Sequence, residues 1–278
     1  DVGESVAARP AKRKKNPLQK TKHPRGGAAR RVFGPLMSVS QIQFASIDSV
    51  TLKRGAFSVF QGLSLELSER RIALVGLNGS GKSSLLRMLN GLLLPDEGTV
   101  TVFGLDTRKS RRKLPRHVGM VFQNPDHQMI FPTVLEELAF GPRQMGATRS
   151  DAEALARRTL VRHGCDGWAE RPVALLSEGQ KQLVCLLGAS ISEPGLLLCD
   201  EPFSGLDLSL RLHFAAHIAE IPAHVVMVSH DLDMLCEFDR VIWLEKGAVV
   251  GDGHPDVILP EYRAFARTRA GQLTAGGL

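Results

Sequence analysis

The eight residues Gly76-Leu77-Asn78-Gly79-Ser80-Gly81-Lys82-Ser83 follow the pattern G-x-x-x-x-G-K-[ST]. No other stretch constrains the surrounding chain as tightly, because the pattern demands a strand before it and a helix after it. Arg71-Ile72-Ala73-Leu74-Val75 supplies an apolar run that reads as a buried strand. From Ser84 to Leu94, Leu85, Leu86, Leu89, Leu92 and Leu93 recur at helical spacing. Glycines let several backbone N–H groups turn into one concavity, and the start of the helix adds partial positive charge. Such a nest suits phosphate. Lys82 is expected to neutralise the β- and γ-phosphates of a nucleotide and the Ser83 hydroxyl to help hold Mg²⁺. Gly76, Asn78, Gly79, Ser80, Gly81 and Ser84 complete the candidate phosphate cradle. Taken alone, the eight residues also fit a glycine turn with no ligand; nucleotide binding is the reading carried forward.

The 278 residues are 43% hydrophobic and 23% charged, an ordinary globular composition with room for one large domain or two small ones. Cys165, Cys185, Cys199 and Cys236 are scattered without a C-x-x-C pair, which suggests reduced thiols in a cytosolic protein. Cys199 sits in an apolar run and reads as core. No stretch approaches the roughly 18 uninterrupted apolar residues of a membrane span.

Charge is unevenly placed. Residues 1–36 carry Arg9, Lys12, Arg13, Lys14, Lys15, Lys20, Lys22, Arg25, Arg30 and Arg31 against Asp1 and Glu4. That balance of +8 leaves −2 for the remainder of a chain whose net charge is +6. With its Lys, Arg, Pro and Gly and no apolar periodicity, this segment is expected to be a disordered basic tail. A nucleic-acid arm, an anionic-membrane contact and a targeting segment are compatible with it, although the apolar core of a secretory signal is absent. The reading preferred here is that translation begins at Met37. Residues 37–270 are then the folded domain, with 271–278 frayed.

Along that domain, residues 41–52 and 57–67 alternate like strands around Lys53-Arg54-Gly55, and residues 96–104 add a turn and a β-rich run. Together they suggest an antiparallel β layer beside a parallel core sheet. Residues 134–140 and 149–163 have helical periodicity with charged outer faces, giving a helical insertion at about 124–176. Leu196-Leu197-Leu198-Cys199 and Val225-Val226-Met227-Val228 read as buried strands with a helix over 208–221 between them. Val241-Ile242-Trp243-Leu244 and Ala248-Val249-Val250 read as a hairpin.

The first of those buried strands ends in Asp200-Glu201. A strand that releases an aspartate at its carboxyl end delivers it to the ligand-binding edge of an α/β sheet. Asp200 is expected to hold Mg²⁺, directly or through water. Glu201 is then placed to orient and polarise the attacking water. The plainer alternative is a pair of surface acids.

Four further pieces carry a family resemblance. Leu176-Ser177-Glu178-Gly179-Gln180 resembles the L-S-G-G-Q signature of ABC ATPases, and Val121-Phe122-Gln123-Asn124-Pro125 their Q-loop. Ser204-Gly205-Leu206-Asp207 resembles the D-loop, and Val228-Ser229-His230-Asp231 the H-loop. Each is weak alone, but all occur in the family's order from about residue 42 to about 265. The resemblance implies an α/β P-loop NTPase of the ABC ATPase type, with an antiparallel β layer and an inserted helical subdomain. It also implies ATP hydrolysis. The P-loop of one subunit and the signature of a second ATPase subunit, identical or paralogous, would sandwich each ATP. Ser177, Gly179 and Gln180 would act from across that dimer, and Asp207 would communicate between the two sites. Gln123 would sense Mg²⁺ and the attacking water and link the site to a membrane partner. His230 would hydrogen-bond the γ-phosphate and stabilise developing charge.

Two positions depart from the family pattern. Glu178 replaces a signature glycine and brings a carboxylate near incoming phosphates. Arg54 stands where an aromatic residue usually stacks on adenine; a guanidinium plane can stack on a base, or Phe57 can substitute.

One nucleotide-binding domain without a membrane segment resembles a separate importer ATPase on the cytoplasmic face of the membrane, bound to integral-membrane subunits. The run Phe122-Gln123-Asn124-Pro125-Asp126-His127-Gln128 resembles the energy-coupling-factor form, and the chain length is most like the biotin-uptake ATPase of that group. A cobalt or nickel importer, another ABC importer and a soluble non-transport ABC ATPase are the alternatives. The substrate is not expected to touch this chain, and nucleic-acid binding rests on the tail alone. His127 and Gln128 are expected near the groove where a membrane helix docks.

Overall fold

The computed structural model describes residues 43–275, so the expected tail over residues 1–36 lies outside the described residues. Strands β1 (Ala45–Arg54) and β2 (Phe57–Leu67) form an antiparallel ribbon. Then come β3 (Arg71–Val75), α1 (Lys82–Leu89), β4 (Glu97–Val102) and the short β5 (Leu105–Asp106). The β6 strand (Val118–Val121) leads into α2 (Val134–Gln144) and α3 (Arg149–Arg162), which pack on each other. The chain continues through α4 (Glu178–Ser190), β7 (Leu196–Asp200), α5 (Leu208–Glu220) and β8 (His224–Val228). It closes with β9 (Arg240–Glu245), β10 (Ala248–Gly253) and α6 (Pro255–Ala275).

These strands make two sheets. One is antiparallel in the order β2-β1-β4-β5; the other runs β10-β9-β3-β8-β7-β6, parallel except for the β10 edge. The parallel strands are continuous apolar runs because both faces of their sheet are covered. Side chains alternate between those faces with period two. Ala73, Val75, Leu197, Cys199, Val225 and Met227 enter a core shared with α2 to α5. Ile72, Leu74, Leu196, Leu198, Val226 and Val228 enter a second core shared with α1 and the antiparallel sheet. Parallel strands β6, β7, β8 and β3 therefore deliver Gln123, Asp200-Glu201, Ser229-His230 and the glycine-rich loop to one edge, where open α/β sheets bind ligands.

At the other end of β3, Arg71 is a buried cation. Its guanidinium donates to the carbonyls of Ile218 (2.9 Å), Ile221 (2.8 Å) and Ala223 (2.8 Å). Some of the carbonyls that α5 leaves unpaired at its C-terminus thereby find a charged donor.

Two helices differ from the sequence reading. The first begins at Lys82 and stops at Leu89, because Gly91 takes φ +72° and ends the turn; Leu92 is left 49% exposed. The last, α6, gives no clear periodic signal, since Pro260 interrupts the pattern. It nevertheless buries Ile258, Leu259 and Tyr262 and runs through Ala270 to Ala275, past the point where fraying is expected. Cys165, Cys185 and Cys199 are buried free thiols and Cys236 is an exposed one. No helix among the described residues is long and apolar enough to cross a membrane.

Candidate functional site

Two glycines of the loop stand where a side chain does not fit. Gly76 has φ +147°, and a Cβ there would stand 2.1 Å from the Leu244 carbonyl oxygen. Gly81, with φ +109°, precedes α1, and a Cβ would collide with the Phe60 ring at 2.7 Å. Between them the loop wraps Lys82, which is 6% exposed and donates from Nζ to Gly76 O (2.7 Å) and Leu77 O (2.9 Å). Burial lowers the Lys82 pKa, while Glu201 and Asp200 oppose that shift. The Gly247 N–H donates to Ser80 O at 3.1 Å, so the β9–β10 turn braces the loop from behind. Ser80 Oγ is buried without a partner.

Facing the lysine is the acidic end of β7. Asp200 is 3% exposed and accepts from Ser83 Oγ at 3.0 Å. Burial raises its pKa, with Glu201 adding to the rise; the Ser83 hydroxyl, Arg87 and Lys82 pull the other way. The next residue leaves the strand abruptly. Glu201 has φ +50°, a left-handed conformation uncommon for residues other than glycine, and its N–H donates to Val228 O at 2.9 Å. Its carboxylate lies between two other chain segments: Gln123 Nε2 donates to Oε2 at 3.3 Å, and His230 Nε2 is 3.1 Å from Oε1.

Lys82, Ser83, Gln123, Glu201 and His230 line one cleft of about 540 Å³, together with Arg54, Asn78, Gly79, Gly81, Ser84 and Val59; Gly76, Ser80 and Asp200 do not line it. Arg54 lines it and Phe57 does not; that ring is 79% exposed. Val59 was not singled out from the sequence. Its place as a partly buried residue of the alternating β2 run was the available signal.

Ser177, Gly179, Gln180 and Asp207 do not line this cleft. They form helix starts. Ser177 caps α4: its Oγ accepts from Gln180 N (3.3 Å), and Gln180 Oε1 accepts from Ser177 N (3.1 Å), a reciprocal capping box. Gly179 is buried, and a Cβ would stand 2.7 Å from Leu210 Cδ1. Asp207 caps α5 by accepting from Leu210 N at 2.9 Å. Glu178 sits in the first turn of α4, where a carboxylate complements the helix dipole, and it leans toward Gly205.

The segment around Gln123 is tied to α4. Lys181 Nζ donates to Asp126 (2.6 Å) and Gln182 Nε2 to Phe122 O (3.1 Å). Gln128 is partly buried. Its Oε1 accepts from Phe122 N (3.1 Å) and its Nε2 donates to Cys185 O (3.3 Å), so it fastens the loop to α4. His127 is exposed. A separate groove between α2 and α3 is lined by Phe131, Phe140, Glu136, Arg143, Arg149 and Glu153.

This arrangement has relatives. A family model described as ABC transporter matches residues 60–204. The chain is 46% identical over 232 residues to the biotin transport ATP-binding protein BioM of Rhodobacter capsulatus, covering 83% of this chain and 99% of that protein. Among solved structures, cbiO1 from Clostridium perfringens, part of the ABC transporter complex cbiONQ, superposes with a TM-score of 0.69 at 25% identity, covering 84% of this chain and 99% of that one. A dimeric post-hydrolysis ATP-binding cassette bound to ADP and Pi superposes with a TM-score of 0.69 at 24% identity, covering 76% and 98%. The chain belongs to the ABC transporter family, as one of its ATP-binding, ATP-hydrolysing subunits.

Proposed function

We propose that this ATPase energises uptake through an energy-coupling-factor type importer whose substrate is biotin. One observation carries the catalytic part: the Glu201 carboxylate is held between Gln123 and His230 in the cleft that is also lined by Lys82 and Ser83, with Asp200 bonded to Ser83 from behind. In this reading the loop from Gly76 to Ser84 cradles the phosphates with its backbone N–H groups. Lys82 exchanges its two carbonyl partners for phosphate oxygens, and Arg54 stacks on adenine. Glu201 orients and polarises water, Gln123 positions that water, and His230 donates to the γ-phosphate.

The donor set fits Mg²⁺. Among the described residues no three His, Cys, Asp or Glu side chains form a metal cage. Ser83, Asp200 and Gln123 instead supply a sparse oxygen set, suited to an ion shared with substrate phosphates. Bound there, Mg²⁺ would neutralise charge developing on the phosphates.

Ser177, Gly179, Gln180 and Asp207 serve the site of a second ATPase subunit. Their absence from this chain's own cleft and the dimeric cassette among its structural relatives support that assignment. Within the described residues 43–275, the helical insertion spans about 124–176. The aromatic groove between α2 and α3 takes a helix of an integral-membrane partner, which keeps the chain peripheral on the cytoplasmic face. Biotin as cargo rests on the likeness to BioM. The test is labelled-biotin uptake by cells that depend on this chain, wild type against Lys82→Ala. Uptake that survives loss of nucleotide binding rejects the proposal; uptake of another vitamin or a metal ion in place of biotin corrects only the cargo.

A further inference from the structure

His230 is half exposed, and its imidazole reaches Glu201 across open cleft, so something must hold its backbone. On one side Ser229 is buried at the end of β8. On the other, the Asp231 N–H donates to Ser229 Oγ at 3.1 Å, closing a small turn with His230 at its apex. The Asp231 carboxylate is fixed in turn by an ion pair with Arg211 of α5. Both side chains are partly shielded, 33% exposed for Arg211 and 24% for Asp231, which limits the screening that weakens fully exposed pairs.

Arg211 belongs to the first turn of α5. Its backbone N–H donates to Asp207 O at 3.0 Å, and the Asp207 side chain caps the same turn through Leu210 N at 2.9 Å. A rigid helical turn therefore runs from the loop at residues 204–207 to the guanidinium that grips the neighbour of His230. No residue of that turn lines the nucleotide cleft.

We propose that Arg211 is a positioning residue for hydrolysis: through Asp231 it fixes His230 over Glu201, and it carries to His230 the position of the 204–207 loop. The inference rests on the reading that His230 acts on the γ-phosphate. A shift of that loop at a dimer interface tilts the first turn of α5, moves Asp231 and re-aims the imidazole. The phosphate cradle is untouched, so the effect falls on turnover and not on nucleotide binding.

The test is steady-state ATPase of the full chain for Arg211→Ala, Arg211→Asp, Asp231→Arg and the double exchange Arg211→Asp/Asp231→Arg, with His230→Ala alongside. Misplacing a catalytic group by an ångström costs up to about 10²-fold, so each single change is expected to lower kcat about tenfold to 10²-fold. KM for ATP should stay within about twofold, since binding is made elsewhere. The double exchange, which restores opposite charges, should recover most of the lost kcat. Arg211→Lys keeps the charge and serves if the alanine variant does not fold; it is expected to stay close to wild type. Single variants with wild-type kcat beside an inactive His230→Ala overturn the positioning role and leave the reading of His230 standing. A double exchange no better than its parents also overturns it, because the two residues then do not act as a pair. An active His230→Ala removes the reading beneath the proposal.

Discussion

The Glu201 carboxylate stands 3.1 Å from the His230 imidazole, although 28 intervening positions separate residues 201 and 230. Strands β7 and β8 make that meeting possible, since they pair in parallel with Asp200 opposite Val228 and end at the same edge. Neither carboxylate nor imidazole is buried enough to be explained by packing. Their proximity to Lys82 is the structural basis for assigning them to hydrolysis.

Gln128 anchors the loop that carries Gln123. Gln128→Ala leaves the Phe122 N–H without its acceptor, a loss of about 1–3 kcal/mol, and removes the extra donor to the Cys185 carbonyl of α4. Each kcal/mol lowers the melting temperature of a domain this size by about 2–4 °C. His127→Ala, at an exposed position, should change neither stability nor basal ATPase. Thermal melts of the two variants side by side check this. Equal melting temperatures would mean that the Gln128 bonds are not made in solution.

Asp200 carries a pH signature of its own. Burial raises its pKa above the ordinary 3.8, so the folded state binds the proton more tightly than the unfolded chain. Stability therefore falls as pH rises through the interval above 3.8, and the ionised acid costs stability at neutral pH. Asp200→Asn keeps an acceptor for Ser83 and removes that cost. It should raise the nucleotide-free melting temperature at neutral pH. The same change should weaken Mg²⁺-dependent hydrolysis. A lower melting temperature in the absence of nucleotide contradicts the assignment of Asp200 as a buried acid whose ionisation costs stability.

Acid sensitivity arises elsewhere, where α3 meets α5. Burial pushes the His217 pKa down to about 4, with His163, Arg162 and His213 adding to the fall from 6.5. His163 is lowered in the same direction, again chiefly by burial. The folded state keeps these rings neutral while the unfolded chain takes up protons below 6.5. Stability is accordingly lost as pH falls from 6.5 toward 4. His217→Gln, whose amide can still meet Ser190 Oγ, should flatten that loss. Denaturant midpoints measured across the interval check it, and an unchanged slope excludes His217 as its source.

Much of the core was legible in the sequence because it depends on local pattern. The short continuous apolar runs at 72–75, 196–199 and 225–228 read as strands buried on both faces, and the chain pairs them so. The motif residues of the cleft were legible for a similar reason: each sits at or just beyond a strand end. Less visible were features set by tertiary contact. α6 reads poorly because Pro260 and exposed charges mask its buried stripe of Ile258, Leu259 and Tyr262. Gln128 reads as a surface amide until α4 presents the Cys185 carbonyl to it. Arg211 carries no signal in one dimension, since its partner Asp231 reaches it from another strand end.

The most direct test of the catalytic assignment is single-turnover hydrolysis by Glu201→Gln with Mg²⁺-ATP, followed together with the oligomeric state. Lys82→Ala serves as the control that should lose nucleotide binding itself. The glutamine preserves the size and the Gln123 and His230 contacts but cannot accept a proton from water. The expected result is hydrolysis reduced by about 10²-fold or more, in line with loss of a general base, with ATP affinity retained and ATP trapping a closed dimer. Hydrolysis at a near wild-type rate would contradict it and take Glu201 out of the mechanism.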